Sequence, residues 1–547
     1  MRTQNLTKIG AMPGWSIRTR AAKGTARKDT LQRDPDVLAA FLEDAAHFPG
    51  GHAESLIVAT SESDIAQALA RSAPVLPIGA QSSLTGGATP MGETLITTSR
   101  LNHILEIGTD TVRVQAGVTL ADLDAALRNA GRYYPPTPTF MGAFVGGTIA
   151  TNAAGAATFK YGTTRDWVQA ITVVLPDGGV LDIERGAVFA HADGYFEIAM
   201  ARGQVRVPVP RYRPPQVAKL AAGYYAATGM DLIDLFIGSE GTLGIITEAT
   251  LRVLPVRPAM CLVFVPFASR IGALACVRQL RGLARDTWRT KDPKGIDVSA
   301  IEHMDARCLE LLREDGVDRA QGVHIPAATE MALLVTLELP AGTTSEQAFE
   351  EIGGAREPDG RDGSLRRFCR LLDAAGVLDD VEVAVPGDQA RANQLLAVRE
   401  AVPAAVNQRV GQAKRMIDER VEKTAADMIV PFDRLEELMT VYETGFGTRG
   451  LDAAIWGHIS DGNLHPNVIP RAKGDVDAGK AAILEFGREA IRMGGAPLAE
   501  HGVGRNAVKQ QLLEQLYGKG GIDDMRAVKR AIDPEWKLAP GVLFSRT

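Results

Sequence analysis

The chain has 547 residues, of which 45% are hydrophobic and 23% are charged, and its 60 basic and 66 acidic side chains leave a net charge of -6. These proportions fit a folded protein of about three to four domains and exclude a disordered chain, a collagen-like chain and a small disulfide scaffold. A nucleic-acid-binding protein normally carries a basic excess, so we expect no nucleic-acid partner.

The N-terminal segment is basic, since seven lysines and arginines precede the first acidic residue, Asp29. Pro13 and Gly14 interrupt it early, and it lacks the apolar stretch of a secretory signal. We interpret it as a solvated tail on a cytoplasmic protein; membrane-peripheral attachment and organellar targeting are the alternatives.

Strands and helices alternate along the chain. The apolar patterns predict strands at 55–59, 75–78, 94–98, 113–116, 171–175, 262–265 and 332–337, and helices at 64–73, 120–130, 389–402 and 475–493. Segments 195–215 and 342–363 are interpreted as surface insertions, and the two prolines within 254–258 indicate a domain boundary.

One long uncharged segment, 133–159, is long enough to cross a bilayer. It contains three prolines, four glycines and five threonines, which make it polar and break a helix. We therefore predict no transmembrane segment.

The four cysteines form no C-x-x-C pair. An iron–sulfur cluster or a zinc ribbon within this chain is not expected, and buried free thiols in a reducing compartment are the preferred interpretation.

Three glycine-rich segments carry the first functional signal. Segment 77–87 (PIGAQSSLTGG) follows a predicted strand directly, and its amides and hydroxyls can surround a phosphate. Segment 146–155 (GGTIATNAAG) has the small residues that let a flat ligand lie against the backbone, and 238–244 has the spacing G-x-x-G-x-x-G. Ordinary tight turns are the alternative for the first two segments, and the spacing of the third is not the G-x-G-x-x-G of a Rossmann fold.

The second signal is a set of histidines beside turn glycines. His458 and His465 flank an Asp-Gly turn in WGHISDGNLHPN, so a hairpin would bring them to one site. Glu500 and His501 follow within 44 residues of His458. Two histidines and a carboxylate are a common divalent-metal set with open positions, whereas three unrelated histidines are the alternative.

Taken in order from about residue 55 to the end, PIGAQSSLTGGATP, GGTIATNAAG with KYGTTRDWV, LFIGSEGTLGIITE, GHISDGNLHPN and EHGVG resemble a known family. It is that of the FAD-linked oxidases of the vanillyl-alcohol oxidase/para-cresol methylhydroxylase (PCMH) type. Within it, the chain is most similar to the branch of D-lactate dehydrogenase, glycolate oxidase large subunit and D-2-hydroxyglutarate dehydrogenase.

The resemblance implies an α+β fold, with a two-subdomain PCMH-type FAD-binding domain and an α+β cap domain that contains an antiparallel sheet. The implied domains are an N-terminal extension (1–48), the FAD-binding domain (49–257) and the C-terminal domain (258–547), whose cap spans about 258–495 and whose last segment returns to the FAD domain.

The resemblance also implies a non-covalent FAD, because segment 77–87 has neither the His nor the Cys that attaches the flavin in some relatives. The implied FAD-binding residues are Pro77, Ile78, Gly79, Ala80, Gln81, Ser82, Ser83, Thr85, Gly86, Pro136, Thr137, Gly146, Gly147, Ala150, Thr151, Asn152, Gly155, Tyr161, Gly162, Glu240, Gly241, Gly244, Ile245, Ile246 and Asn463.

For the active site, the resemblance assigns His458, His465 and Glu500 as ligands of a divalent metal (zinc, with manganese or iron as alternatives) and His501 as the catalytic base. In an extended segment Glu500 and His501 are expected to point apart, so that one can bind the metal while the other faces the substrate from a bend. Arg399, expected at the end of a helix, and Lys414 match the cations that bind the substrate carboxylate.

The activity so implied is FAD-dependent oxidation of a small D-2-hydroxy acid. Pro403 replaces the threonine of the hydroxyglutarate enzymes and favours D-lactate or a similar short acid, whereas Ser460 in place of the usual glycine is a mild change. Electrons would leave to an external acceptor, namely a cytochrome, a quinone or an electron-transfer flavoprotein. A homodimer is one alternative for the oligomeric state.

Two other functions were weighed. An alkylglycerone-phosphate synthase uses FAD without net oxidation, but it carries adjacent histidines, and this chain has no His-His pair. A non-catalytic glycolate oxidase subunit would lack the metal and base motifs, which this chain has.

Overall fold

The computed structural model of the protein describes residues 14–25, 31–71, 74–136, 138–359 and 362–547. Within them the strands are, in chain order, β1 (Ser16–Arg18), β2 (Leu31–Gln32), β3 (Leu56–Val58), β4 (Val75–Ile78), β5 (Thr94–Thr97), β6 (Ile104–Ile107), β7 (Thr111–Gln115), β8 (Val168–Val174), β9 (Val180–Glu184), β10 (Tyr195–Met200), β11 (Gly203–Pro208), β12 (Ile245–Arg252), β13 (Ala259–Phe267), β14 (Val298–Asp305), β15 (Met331–Leu339), β16 (Glu382–Ala384), β17 (Thr424–Ala425), β18 (Met428–Ile429), β19 (Ala453–His458) and β20 (Asn463–Val468).

The α-helices of the same residues are α1 (Pro35–Ala39), α2 (Glu62–Arg71), α3 (Leu120–Asn129), α4 (Val145–Ala150), α5 (Thr158–Tyr161), α6 (Ile233–Phe236), α7 (Arg270–Thr290), α8 (Ala306–Glu314), α9 (Val317–Ala320), α10 (Ser345–Gly353), α11 (Ser364–Ala374), α12 (Gln389–Met416), α13 (Leu435–Gly447), α14 (Lys473–Arg492) and α15 (Ala507–Ile532, broken at Gly518).

The first sheet has the strand order β2-β3-β5-β4, and its strands β3, β5 and β4 run parallel. Leu56, Leu95 and Leu76 lie in register across these three strands and are almost fully buried. Ligands of such sheets generally bind beyond the carboxyl ends of the parallel strands. The Gly-rich segment 77–87 begins within β4 and leaves it at that end.

The second sheet, β6-β7-β12-β8-β9, is antiparallel throughout. Its central strand β12 directly follows the glycine-rich segment 238–244. Helix α4, which carries the glycines of 146–155, lies against the end of β7, where a Cβ atom on Gly146 would stand 2.6 Å from the Ala116 side chain. Only glycine allows this close approach of the helix.

The third sheet is the antiparallel β16-β13-β15-β14-β19-β20-β17, with β18 paired to β20. Alternate residues of β13 enter two different cores: Val263 and Val265 pack in the core that includes α7, and Leu262 and Phe264 in the core that includes α12. Because both faces are covered, the strands are almost continuously apolar.

The predicted α+β class with an antiparallel sheet in the C-terminal part is confirmed. Helix 389–402 was predicted too short, since α12 continues to Met416 with Pro403 inside it. Arg399 therefore lies in mid-helix and not at a helix end.

Two predictions about peripheral segments were wrong. Residues 14–25 are not a solvated tail, because β1 pairs with β10 and Arg20 forms ion pairs with Glu62 and Asp182 at 2.6 and 2.5 Å. Residues 1–13 and 26–30 lie outside the described residues.

Segment 195–215 is more than a surface insertion, since its β10–β11 hairpin buries Phe196 completely. Segment 342–363 contains α10 and the buried Ala348; Gly360 and Arg361 lie outside the described residues.

The end of the chain lies beside the first sheet. The backbone N–H of Val75 donates to Lys537, and that of Ala539 donates back to Val75. All four cysteines are buried and free, as predicted. Within the described residues, no helix combines the length and the apolar character that crossing a bilayer requires.

Candidate active site

A cavity of about 580 Å³ lies between the three glycine-rich segments and the histidine cluster. Its volume is in the usual range for a cofactor site. Among the residues predicted for FAD, those that line it are Pro77, Ile78, Gly79, Ala80, Gln81, Ser82, Ser83, Thr85, Gly146, Gly147, Ala150, Thr151, Gly155, Glu240, Gly241, Gly244, Ile245 and Ile246. His458, Glu500 and His501 line the same cavity.

The predicted hairpin around the Asp-Gly turn is present. Strands β19 and β20 pair antiparallel, with Trp456 opposite His465. Gly462 has a φ of +89°, and a Cβ atom there would lie 2.3 Å from the Val430 carbonyl oxygen, so the turn accepts only glycine. The hairpin brings His458 and His465 together, with ring centroids 5.4 Å apart.

The two histidines converge on Glu500. Its Oε1 lies 3.2 Å from His458 Nε2 and 3.2 Å from His465 Nε2. A tetrahedral zinc ion with bonds of about 2.1 Å holds neighbouring ligand atoms about 3.4 Å apart, close to these spacings. The donor set and its geometry therefore fit a divalent cation.

A carboxylate lies next to the Nδ1 atom of each of these two histidines. Glu302 Oε1 lies 2.9 Å from His458 Nδ1, and Asp427 Oδ1 lies 3.5 Å from His465 Nδ1. Carboxylates beside Nδ1 of a metal-ligating imidazole generally help to orient the ring so that Nε2 can bind the cation. Here both contacts are ion pairs, since neither Nδ1 atom makes a hydrogen bond within the described residues. Asp427, His465 and His501 also form a second group of ligand type. We prefer the first group because Asp427 already accepts three hydrogen bonds.

His501 completes the cluster. Its Nε2 lies 3.5 Å from Glu500 Oε1, and its Nδ1 lies 3.5 Å from Asp427 Oδ2. Glu500 and His501 were expected to point apart, but the bend between them directs both side chains into the cavity wall. The reason is Asp427, whose Oδ2 accepts the backbone N–H of both residues at 2.8 Å.

The surroundings of His458 and His501 shift their pKa values in opposite directions. Burial opposes protonation of His458, but the negative charges of Glu302 and Glu500 outweigh it and raise its pKa to about 9 in the metal-free protein. Burial lowers the pKa of His501 to about 4, against the attraction of Asp427 and Glu500. At neutral pH His501 is therefore an uncharged imidazole that can accept a proton.

The two predicted carboxylate-binding cations lie in different places. Arg399 has a side chain only 13% exposed, and its Nη2 lies 3.1 Å from Glu302 Oε2, behind His458. Lys414 is exposed in the last turn of α12. Fifteen residues of helix correspond to about 22 Å, so the structure does not bring Lys414 and Arg399 to one small ligand.

Comparison with known proteins decides the family. The family model described as "FAD binding domain" matches residues 53–184, and that described as "FAD linked oxidases, C-terminal domain" matches residues 268–543. The chain belongs to the FAD-linked oxidases. It is therefore an FAD-binding oxidoreductase.

Two relatives match this FAD-linked oxidase over most of its length. A D-lactate dehydrogenase of Anaerostipes hadrus is 28% identical over 510 residues, which cover 89% of each chain. A D-2-hydroxyglutarate dehydrogenase of Xanthomonas citri pv. viticola is 29% identical over 487 residues, which cover 87% of this chain and 85% of the relative. A solved structure of an alkyldihydroxyacetonephosphate synthase matches with a TM-score of 0.58 and 15% identity, over 94% of this chain and 82% of the synthase chain. This likeness shows that the two proteins share a fold.

The cavity of this FAD-linked oxidase suits FAD in two respects. Within the described residues, the backbone N–H groups of Ser82, Ser83 and Leu84 donate no hydrogen bond in the protein, so they remain free for a phosphate. At Gly147, which lines the cavity, a Cβ atom would meet nothing within 4 Å, so the backbone there faces open space.

Several predicted FAD-binding residues use their side chains to hold the protein together. Gln81, Asn152 and Glu240 all adopt φ near +50°, which is uncommon for residues other than glycine. Gln81 donates to Phe41 and Ala88, Asn152 donates to Leu220, and Glu240 accepts the N–H groups of Val503 and Gly504. These three side chains hold the backbone around the cavity in place.

The remaining predicted residues do not line the cavity. They are Gly86, Pro136, Asn152, Tyr161, Gly162 and Asn463, while Thr137 lies outside the described residues. The Tyr161 hydroxyl donates to Glu338 of β15 at 2.6 Å, next to the ion pair between Lys160 and Glu338. Tyr161 thus joins the FAD-binding part to the cap.

The sequence motifs missed several buried charged residues around the histidines, among them Lys219, Glu302 and Asp427. A signal existed for two of them: Glu302 interrupts the apolar strand β14, and Asp427 interrupts the run Ala-Ala-Asp-Met-Ile-Val. A charge in a buried strand requires a partner, and here the partners are the histidines and backbone amides of the site. Lys219 had no comparable signal.

Proposed function

We propose that this FAD-linked oxidase oxidises a D-2-hydroxy acid, D-lactate or a similar short acid, to the corresponding 2-oxo acid. In the overall reaction the substrate loses a hydride from Cα and a proton from its hydroxyl, and FAD becomes FADH₂. The D-lactate dehydrogenase and D-2-hydroxyglutarate dehydrogenase names of the relatives support this substrate class.

One observation carries the proposal: the histidine–glutamate cluster and the FAD-binding segments line the same cavity. His458, Glu500 and His501 share it with Gly79 and Gly147. A substrate in this cavity would have a flavin on one side and a cation and a base on the other. Hydride and proton can therefore leave one small acid in different directions.

The two bound groups supply chemistry that side chains lack. When bound, FAD accepts the hydride. A divalent cation held by His458, His465 and Glu500, which we propose to be zinc with manganese or iron as alternatives, would lower the pKa of the substrate hydroxyl. The FAD is proposed to be non-covalent, since segment 77–87 contains no His or Cys.

His501 is the proposed base. It is uncharged at neutral pH, and its Nε2 lies beside Glu500 on the cavity wall. It would take the hydroxyl proton at Nε2, while Asp427 near Nδ1 would stabilise the resulting imidazolium.

Arg399 is the proposed partner of the substrate carboxylate. It does not line the cavity, but it is the predicted cation that lies near the cluster: its Nη2 contacts Glu302 Oε2, and Glu302 Oε1 contacts His458. Lys414 lies too far along α12 to share this task in the present arrangement. The reduced flavin would pass its electrons to an external cytochrome, quinone or electron-transfer flavoprotein, because the chain has no iron–sulfur motif.

The decisive experiment is an anaerobic titration of the purified flavoprotein with matched pairs of D- and L-2-hydroxy acids, following the bleaching of the flavin absorption band. We expect D-lactate or a similar short D-acid to bleach the flavin at lower concentration than D-2-hydroxyglutarate. Bleaching by L-acids alone, or by none of the acids, would refute the proposed substrate class.

A further inference from the structure

Lys219 is a buried lysine that belongs to none of the sequence motifs. It lies in the segment between β11 and α6, and its side chain is 0% exposed. Its Nζ donates to Glu500 Oε2 at 2.8 Å and lies 3.2 Å from Asp461 Oδ2. The ammonium therefore sits between the C-terminal segment that carries Glu500 and the turn of the β19–β20 hairpin.

This contact makes the two oxygens of Glu500 unequal. Oε2 is engaged by the ammonium of Lys219, whereas Oε1 lies 3.2 Å from the Nε2 atoms of both His458 and His465. A free carboxylate can rotate or bind a cation through both oxygens. With Oε2 engaged, only Oε1 is presented to the space between the two imidazoles.

Asp461 holds the lysine in turn. It lies in the turn between β19 and β20, the strands that carry the two histidines. The buried ammonium group of Lys219 thus links the turn of the histidine hairpin directly to the carboxylate of Glu500. Removing a partner from such a buried ion pair leaves an uncompensated charge, so the group is also important for folding.

We propose that Lys219 is a positioning residue of the cation site, which fixes Glu500 so that it binds a divalent cation through Oε1 alone. This inference rests on the proposed function, because it concerns the cation that the proposed reaction uses. Lys219 acts through Glu500 and does not itself line the cavity.

The test measures cation binding and not only activity. Zinc content and zinc affinity, the latter by competition with a chromogenic chelator, are determined for the flavin-loaded wild type and for Lys219→Met. We expect Lys219→Met to bind zinc about 10- to 100-fold more weakly, the usual effect of losing a group that orients a metal ligand.

The matched control is Lys529→Met. Lys529 is equally buried, at 1% exposure, and its Nζ contacts Thr242, Asp533 and Leu538, which lie outside the histidine cluster. Lys529→Met should lose thermal stability but keep wild-type zinc affinity. If Lys219→Met behaves like this control, the positioning role is refuted.

A comparison in a Glu500→Gln background keeps the test valid if Lys219→Met alone does not fold. In a Glu500→Gln background one buried negative charge is gone, and the ligand that Lys219 positions is altered. Adding Lys219→Met there should change zinc affinity little, whereas a further tenfold loss would show that Lys219 does not act through Glu500. Failure of the wild type itself to bind any divalent cation would instead refute the cation of the proposed function.

Discussion

Asp427 Oδ2 accepts the backbone N–H of His501 at 2.8 Å, next to the residues that form the histidine cluster. The same oxygen accepts the N–H of Glu500, and Oδ1 accepts from the Asn463 side chain at 2.9 Å. One carboxylate thus bends the 500–501 segment and ties it to the histidine hairpin. Burial raises the pKa of the Asp427 carboxyl, but the electrostatic attraction of His501, His465 and Lys509 outweighs burial and lowers that pKa.

Replacing Asp427 by asparagine should therefore damage the site more than the fold. The amide of the new side chain would offer one acceptor oxygen where the aspartate offers two, so at least one of the three buried donors loses its partner, at a cost of roughly 1–3 kcal/mol. We expect Asp427→Asn to slow flavin reduction by substrate about 10²-fold, because displacement of catalytic groups by about 1 Å costs that much. Anaerobic stopped-flow absorbance measures the rate.

Asp305→Asn is the control for this prediction. Asp305 accepts the backbone N–H groups of Cys308 and Ile455 at 2.8 and 2.9 Å, but it does not line the cavity. It should lose comparable stability in denaturant unfolding and retain its rate of flavin reduction. Equal slowing in both variants would mean that the rate follows stability and not the 500–501 bend.

His501→Gln should retain bound FAD and lose most of its flavin reduction, by about 10²- to 10⁴-fold, the usual contribution of a general base. The flavin spectrum of the purified variant checks cofactor retention, and anaerobic mixing with D-lactate checks the rate. His303→Gln is a suitable control, since His303 is also buried with a pKa of about 4 but lies outside the cavity lining. Reduction of His501→Gln at the wild-type rate would place the base elsewhere.

The two cations on α12 should differ in their effect on substrate binding. Arg399→Met should raise KM at least about tenfold, since a hydrogen bond to a charged group is worth about 1.5–3 kcal/mol. Lys414→Met should leave KM unchanged, because Lys414 is exposed and about 22 Å farther along the helix. Steady-state kinetics with a dye acceptor compares them; equal increases would indicate that the end of α12 rearranges around the substrate.

Local sequence patterns predicted several parts of the fold and of the site correctly. Glycine segments and the His-Asp-Gly hairpin are local patterns, and they predicted the cavity-lining segments and the close approach of His458 to His465. The period of apolar residues located α3 within one residue of its end and β4 at its observed bounds.

Long-range electrostatics could not be predicted in this way. Lys219 lies 281 residues from Glu500 in the chain, and Asp427 lies 74 residues from His501, so no spacing links them. The extent of α12 was missed for a different reason: Pro403 normally disfavours a helix interior, but the helix packs Val398, Val402 and Val406 into the core on both sides of the proline. Tertiary burial here overrides local preference.

Glu240 gives a prediction for pH. Burial of the Glu240 carboxyl raises its pKa from 4.5 to about 6 in the folded protein, although the hydrogen bonds from the N–H groups of Val503 and Gly504 act to lower it. A carboxyl whose pKa is raised on folding favours the fold below pH 4.5, and this contribution is lost as the pH rises through 6. The difference of about 1.5 pKa units corresponds to at most about 2 kcal/mol. The free energy of unfolding of the wild type, measured by urea denaturation relative to Glu240→Gln, should therefore fall by up to that amount between pH 4 and pH 7. A difference that stays constant over this range would show that the Glu240 carboxylate is as well solvated in the folded protein as in the unfolded chain.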